Sequence, residues 1–246
     1  MKRALVSVDF DFFVREKVEW DWGHQETMLF LNPIWTFRYA STINIRRETD
    51  PKKYADFEPT EIVHRLWSKN LVQGRRYRVA TAESHLSILE FCKGEAFDLV
   101  INLDAHHDMY HEPKDGKPDC GNLWVPLYDA MPKARHIHVY PKWQNGDLVT
   151  PPVRPIEQTP WPDLKIGNGY EVTRLFFCRS GCWVPPHLDP LFNSMVTQFG
   201  RGLAIRERVI DLEAIKKQKA QLAQFRREHH AGRQERAVHP GTEAGG

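Results

Sequence analysis

The 246-residue sequence contains no apolar run long enough to cross a bilayer and no charged-then-apolar leader pattern, so no membrane partner is expected. It has only four cysteines, scattered without zinc-finger pairing. Cys178 and Cys182 form a CxxxC pair, but no second pair exists to complete a thiolate zinc site. Reduced, buried thiols in a cytoplasmic protein are the expectation. Charge of one sign is also lacking. The 34 basic and 32 acidic side chains leave a formal +2, too little to expect nucleic acid as a partner. There is no internal repeat and no signal for oligomeric state.

What is present suffices for one sizeable core: 41% hydrophobic residues, with eight tryptophans. A single α/β domain over residues 1–210 is expected, followed by a tail at 211–246. Asp211–His230 is rich in Lys, Gln, Glu and Ala and reads as a solvated helix. Ala231–Gly246 has the Gly, Pro and polar content of a disordered end.

Four strands are expected from short apolar runs: Ala4–Phe10, Tyr77–Thr81, Phe97–Leu103 and Arg174–Cys178. The alternating His136–Tyr140 adds a fifth. Helices are expected from Pro59, with Thr60 as cap and Ile62, Val63, Leu66 and Trp67 inward, and over Ala82–Lys93, stopped by Gly94. Two more are expected from Cys120 to about Met131 and over His187–Phe199. Ile34–Tyr39 reads as a short strand or irregular. Residues 141–172, proline-rich and without apolar periodicity, read as a long extended connection.

The chemistry gathers where two of these runs end. Phe97–Leu103 gives way to Asp104, Ala105, His106, His107 and Asp108. Extended backbone would project Asp104, His106 and Asp108 to one side. Asp9 and Asp11 repeat the i, i+2 pattern after the first strand. Buried, unpaired carboxylates cost several kcal/mol each, and a bound cation removes that cost. One of the two capping the following turn is the plain alternative. His85, just past the Tyr77–Thr81 strand, reaches the same sheet edge if the strands are parallel. Asp9, Asp11, His85, Asp104, His106 and Asp108 are too many ligands for one ion, and four carboxylates balance two divalent ions. Oxygen-rich ligation favours two Mn²⁺ per chain over a structural Zn²⁺, with other divalent metals admissible. Such a pair lowers the pKa of a shared water for hydrolysis. The Glu19–Glu26 loop, with two Trp and His24, either lines a pocket above this edge or packs as surface.

NLDAHHD (102–108) is similar to the DAHxD motif of the arginase/agmatinase/deacetylase (ureohydrolase) superfamily, and SVDFD (7–11) to its SxDxD motif. Ala82–His85 stands where that fold places its first metal-binding histidine. Cys120–Leu123 resembles the SGNLH segment that lines the amino-acid end of the arginase pocket. With Ser180–Pro186, these blocks most resemble the uncharacterised family that includes the peptide arginases. The resemblance implies a three-layer α/β/α sandwich with a mostly parallel sheet. It implies hydrolysis of a peptide or protein arginine to ornithine and urea. Two features depart from the pattern. The SxDxD-like motif precedes the DAHxD-like one, which implies a permuted strand order. Trp124 stands where arginase has its shuttle histidine.

Proton delivery then falls to His107, His111 or His24. The guanidinium-gripping carboxylate has no counterpart that aligns, and Glu26 and Glu19 are the candidates. Asn122 is expected to hydrogen-bond the substrate backbone, Trp124 to favour a bulky substrate, and residues 141–172 to wall a peptide groove. The alternatives are a one-metal amide deacetylase and a catalytically inactive metal-binding or interaction protein.

Overall fold

The continuous apolar runs assemble side by side. In the computed structural model, which describes residues 1–14, 28–41, 59–69, 71–144 and 150–238, six strands form one parallel sheet. They are β1 (Lys2–Asp9), β2 (Leu71–Ala82), β3 (Leu99–Leu103), β4 (Arg135–Tyr140), β5 (Glu157–Pro160) and β6 (Tyr170–Cys178), in the order β2-β6-β1-β3-β4-β5. The register levels their carboxyl ends: Asp9 pairs with Cys178, Ala82 with Cys178, and Val8 with Leu103.

Both faces of β1 are covered, which is why it reads as an unbroken apolar run. Ala4, Val6 and Val8 enter one core with Trp35, Leu66 and Phe192. Leu5 enters the other with Ile88, Leu123 and Trp124. The first core lies under α1 (Met28–Ser41), α2 (Pro59–Trp67) and α5 (Asp189–Val196), the second under α3 (Ser87–Phe91) and α4 (Trp124–Ala130). The chain is thus an α/β sandwich of three layers. Ser7 and Asp9 share the parity of Leu5 and project to the α3/α4 side.

Several expected elements change. Ile34–Tyr39 is neither strand nor irregular but part of α1. Its buried residues Leu31, Ile34, Trp35, Arg38 and Tyr39 fall on one helical face. The helix expected over Ala82–Lys93 shrinks to α3, because Ala82 still belongs to β2 and Glu83–Leu86 form turns. The stretch 141–172 is not only a connection: it contributes β5, paired to β4, and a 3₁₀ turn at Trp161–Asp163. The terminal helix α6 runs Leu212–Val238, through the first eight residues of the expected disordered end. It is not simply solvated either, since it packs along α1 and buries Ile215. No helix among the described residues is long and apolar enough to cross a membrane, and none of the four cysteines forms a disulfide among the described residues.

Candidate metal centre

The carboxyl ends of β1, β2, β3 and β6 converge on one cavity of about 490 Å³. This is where parallel α/β sheets bind ligands. Its floor holds Asp9, Asp11, His85, Asp104, His106 and Asp108, the six residues expected as ligands. They do not arrive in extended backbone, as the i, i+2, i+4 spacing suggested. Phe10–Phe13 is a 3₁₀ turn, and Asp104–Asp108 is a bent loop in which Asp108 adopts a left-handed φ of 49°.

The turns are made by the aspartates themselves. Asp9 Oδ1 accepts from Asp11 N at 3.1 Å, and Asp104 Oδ1 from His106 N at 2.8 Å. Asp11 Oδ1 accepts from Ala105 N at 3.2 Å and ties the β1 turn to the β3 loop. The turn-capping alternative therefore holds alongside the ligand reading: Oδ1 of each shapes backbone and Oδ2 faces a histidine.

His85 Nδ1 lies 3.2 Å from Asp9 Oδ2, 3.2 Å from Asp104 Oδ2 and 3.3 Å from Asp108 Oδ2. None of the three forms a well-angled hydrogen bond, and Nδ1 is buried without a hydrogen-bond partner. Ligands placed about 2.0–2.2 Å from one ion stand about 3.0–3.4 Å from each other. The three distances from Nδ1 fall within that range. A second group joins His106 Nδ1 to Asp11 Oδ2 at 3.1 Å and to Asp104 Oδ1 at 3.9 Å. Asp9, His85 and Asp104, and likewise Asp11, Asp104 and His106, could hold a metal ion, with ligand atoms in each group within 4.8 Å of one another.

Electrostatics fit the same picture. Burial, then the charge of Asp104, pushes Asp9 up; burial, then Asp9 and Asp104, pushes Asp11 well up. Burial, then Asp104, does the same to Asp108. Burial would raise Asp104 as well, but His85 and His106 outweigh it and hold its carboxyl low. Burial would lower His85; Asp104, Asp108 and Asp9 overcome this and raise it well above its ordinary range. So many carboxylates forced toward protonation mark a site built for positive charge.

The surroundings fix the residues that could hold a metal. Ser7 Oγ lies 2.8 Å from His85 Nε2, and accepting its N–H leaves the Nδ1 lone pair for the cavity. Phe176 stacks on the His85 ring at 6.0 Å, and Trp124 packs edge-on at 5.5 Å. Asn102 Nδ2 donates to Asp104 Oδ2 at 3.1 Å, and His138 Nε2 donates to the Asp104 carbonyl at 3.0 Å. Burial lowers His138 to about 4, so it serves as a neutral donor. Trp183 covers His106 with ring centroids 5.0 Å apart, and Ser180, at a left-handed φ of 54°, lines the cavity. Non-glycine residues in that region concentrate at functional sites.

Other expected residues sit differently. His107 is buried and faces a separate, small cavity under β4. Its Nε2 donates to Thr150 O at 2.8 Å and its Nδ1 accepts from Met109 N at 3.0 Å, so it has no free nitrogen to shuttle a proton. Asn122 is wholly buried and does not line the metal cavity. Its Oδ1 accepts from Asp119 N and its Nδ2 donates to His111 Nδ1 at 3.0 Å, so it positions the mouth rather than the substrate. Trp124 backs His85 from inside the core and is no substrate wall. His111 does line the cavity, as do Tyr110 and Asp119, which the sequence reading passed over. Glu19, His24 and Glu26 lie outside the described residues.

No known family, curated protein or solved structure matches the chain.

Proposed function

We propose that the protein is a hydrolase of C–N bonds that uses two divalent ions, Mn²⁺ above all, and acts on the guanidinium of arginine in a peptide or protein. The observation that carries this reading is the division of Asp104. Its Oδ2 faces His85 at 3.2 Å and its Oδ1 faces His106 at 3.9 Å. That is the disposition of a carboxylate shared between two ions. Asp9, Asp108 and His85 would complete one shell, Asp11 and His106 the other. When bound, the ions supply an activated water and neutralise the charge that develops during its attack. The similarity of 7–11 and 102–108 to the ureohydrolase motifs supports the same chemistry.

The chain's own residues supply the rest. Asp119 lines the cavity outside the ligand set, with Oδ1 fixed by Gly121 N at 2.9 Å. Its carboxylate suits the gripping of a guanidinium that enters from solvent. His111, held through Nδ1 by Asn122, presents Nε2 toward Asp119 at 3.7 Å. It is placed to protonate the departing amine nitrogen as the C–N bond breaks, leaving ornithine and urea. The cavity is open enough for an arginine side chain carried on a chain.

Arginine-containing peptides incubated with the Mn²⁺-loaded protein should lose about 42 Da per converted residue, with urea in equal amount. Release of acetate from acetyl-lysine peptides with no such loss would favour the deacetylase reading. A metal-loaded protein inert to both would favour a binding role.

A further inference from the structure

A second cavity, of about 660 Å³, opens at the far end of the sheet from the metal centre. Arg174 pairs in register with Leu5, four residues before the Asp9–Cys178 pair, so it lies about 13 Å along the strands from the centre. Arg3, Arg75, Arg76, Arg78 and Arg174 line this cavity against two carboxylates, Glu95 and Glu171. Five cations against two anions leave a formal +3.

A break in β2 produces this concentration. Between Gln73–Val172 and Arg78–Arg174, β2 advances five residues while β6 advances two. The excess loops out of the edge strand and carries Arg75 and Arg76 with it. Gly74 allows this, because a Cβ there would come within 2.9 Å of the Val172 carbonyl. Such interruptions re-aim side chains.

The lining also holds unused hydrogen-bonding capacity. Glu95 pairs with both Arg3 and Arg174. Arg174 Nη1 donates to Thr173 O at 3.0 Å. Yet Arg174 Nε, Thr173 Oγ1 and Tyr77 Oη are buried with no hydrogen-bond partner. Arg174 and Thr173 are each 5% exposed. Leaving buried polar groups unsatisfied is costly, so several in one lining call for a ligand. No ion pair engages Arg75, Arg76 or Arg78 among the described residues.

We infer that this arginine-lined cavity is a binding site for a small phosphate-bearing ligand. A surplus of three positive charges calls for a multiply charged anion rather than a lone carboxylate. Forked guanidiniums from neighbouring strands match the several oxygens of a phosphate. The volume is that of a ligand of nucleotide size. The site shares no lining residue with the metal centre, so this inference stands apart from the proposed hydrolysis.

The test is calorimetric titration of the full-length protein with adenosine 5′-monophosphate, adenosine and inorganic phosphate, at fixed ionic strength. Arg75→Ala/Arg76→Ala removes two cations whose side chains make no ion pair among the described residues, and circular dichroism and metal content verify that the variant is intact. The monophosphate should bind at one site per chain, and inorganic phosphate should compete with it. Adenosine, and the monophosphate on the double variant, should each bind about tenfold more weakly or not at all. Equal binding of adenosine, undiminished binding to the double variant, or no binding of either phosphate would overturn the inference. In the last case the arginines would serve only to guard an exposed sheet edge.

Discussion

Ser7 illustrates how much of the candidate centre depends on residues outside the groups that could hold a metal. Its hydroxyl is the partner of His85 Nε2, and partners of this kind set the tautomer and aim of a ligating imidazole. Ser7→Ala should lower divalent-metal affinity by about 10- to 100-fold while leaving the fold intact. Metal titration followed by competition with a chelator measures this. Unchanged affinity would mean that Phe176 and Trp124 alone hold the ring. Asp104→Asn is more severe. It removes the one carboxylate that faces both histidines, and the metal content should fall at both positions.

Among the elements, the turn after β6 is the least tolerant. Ser180 and Trp183 reach the cavity only because the turn between them is held from behind. Arg208 donates to the carbonyls of Gly181 at 2.7 Å and Val184 at 2.8 Å, and Trp35 Nε1 donates to Gly181 O at 2.6 Å. Asp189, wholly buried, pairs with Arg208 at 2.5 Å and with Arg179 at 3.0 Å. Removing the charge leaves the buried Arg208 guanidinium without its ion-pair partner and Arg179 with Glu83 alone, so Asp189→Asn should cost about 3–5 kcal/mol in denaturant unfolding. Gly181→Ala should also destabilise, because a Cβ would strike the Glu83 carboxylate and come within 2.7 Å of Leu31. A loss below about 1 kcal/mol in both would show that the clamp is dispensable. None of this was legible in the sequence, since Arg179, Asp189 and Arg208 meet only through the fold. β1 and β3 were legible because burial on both faces leaves an unbroken apolar run. The gathering of these acids and histidines was legible because several acids at the ends of such runs, buried together, call for a common partner. α1 was obscured by Pro33 and by Arg38, a charge on its inward face. The inward turn of His107 was hidden too, because it depends on the Thr150 carbonyl far along the chain, and that of Asn122 because it depends on how the 111–119 loop folds back.

Over the whole molecule, the centre ties stability to pH and metal. Free of metal, the folded chain keeps Asp9, Asp11 and Asp108 protonated, burial first, at pH values where the unfolded chain has released those protons. Their cost therefore grows as pH rises above about 4. Raised His85 gives support that is full below its ordinary 6.5 and is lost as pH climbs through its folded value. Lowered Asp104 acts in the opposite sense, but its contribution is complete above about pH 4. Burial-lowered His107, His136 and His138 oppose this only up to about pH 6.5, so melting temperature in chelator should fall between about pH 6.5 and about pH 8, and saturating Mn²⁺ should reverse the trend by displacing protons. A chelated protein that gains stability over that range would refute the assignment. The strand order carries one more consequence. β6 comes last in the chain, yet it occupies the slot between β1 and β2, and among the described strands β2 pairs with β6 alone. All six clustered residues lie at or before Asp108, but His85 follows a strand that gains its neighbour only when 170–178 are in place. A chain without β6 therefore leaves His85 unplaced, and the groups that could hold a metal come together only when that strand inserts between β1 and β2.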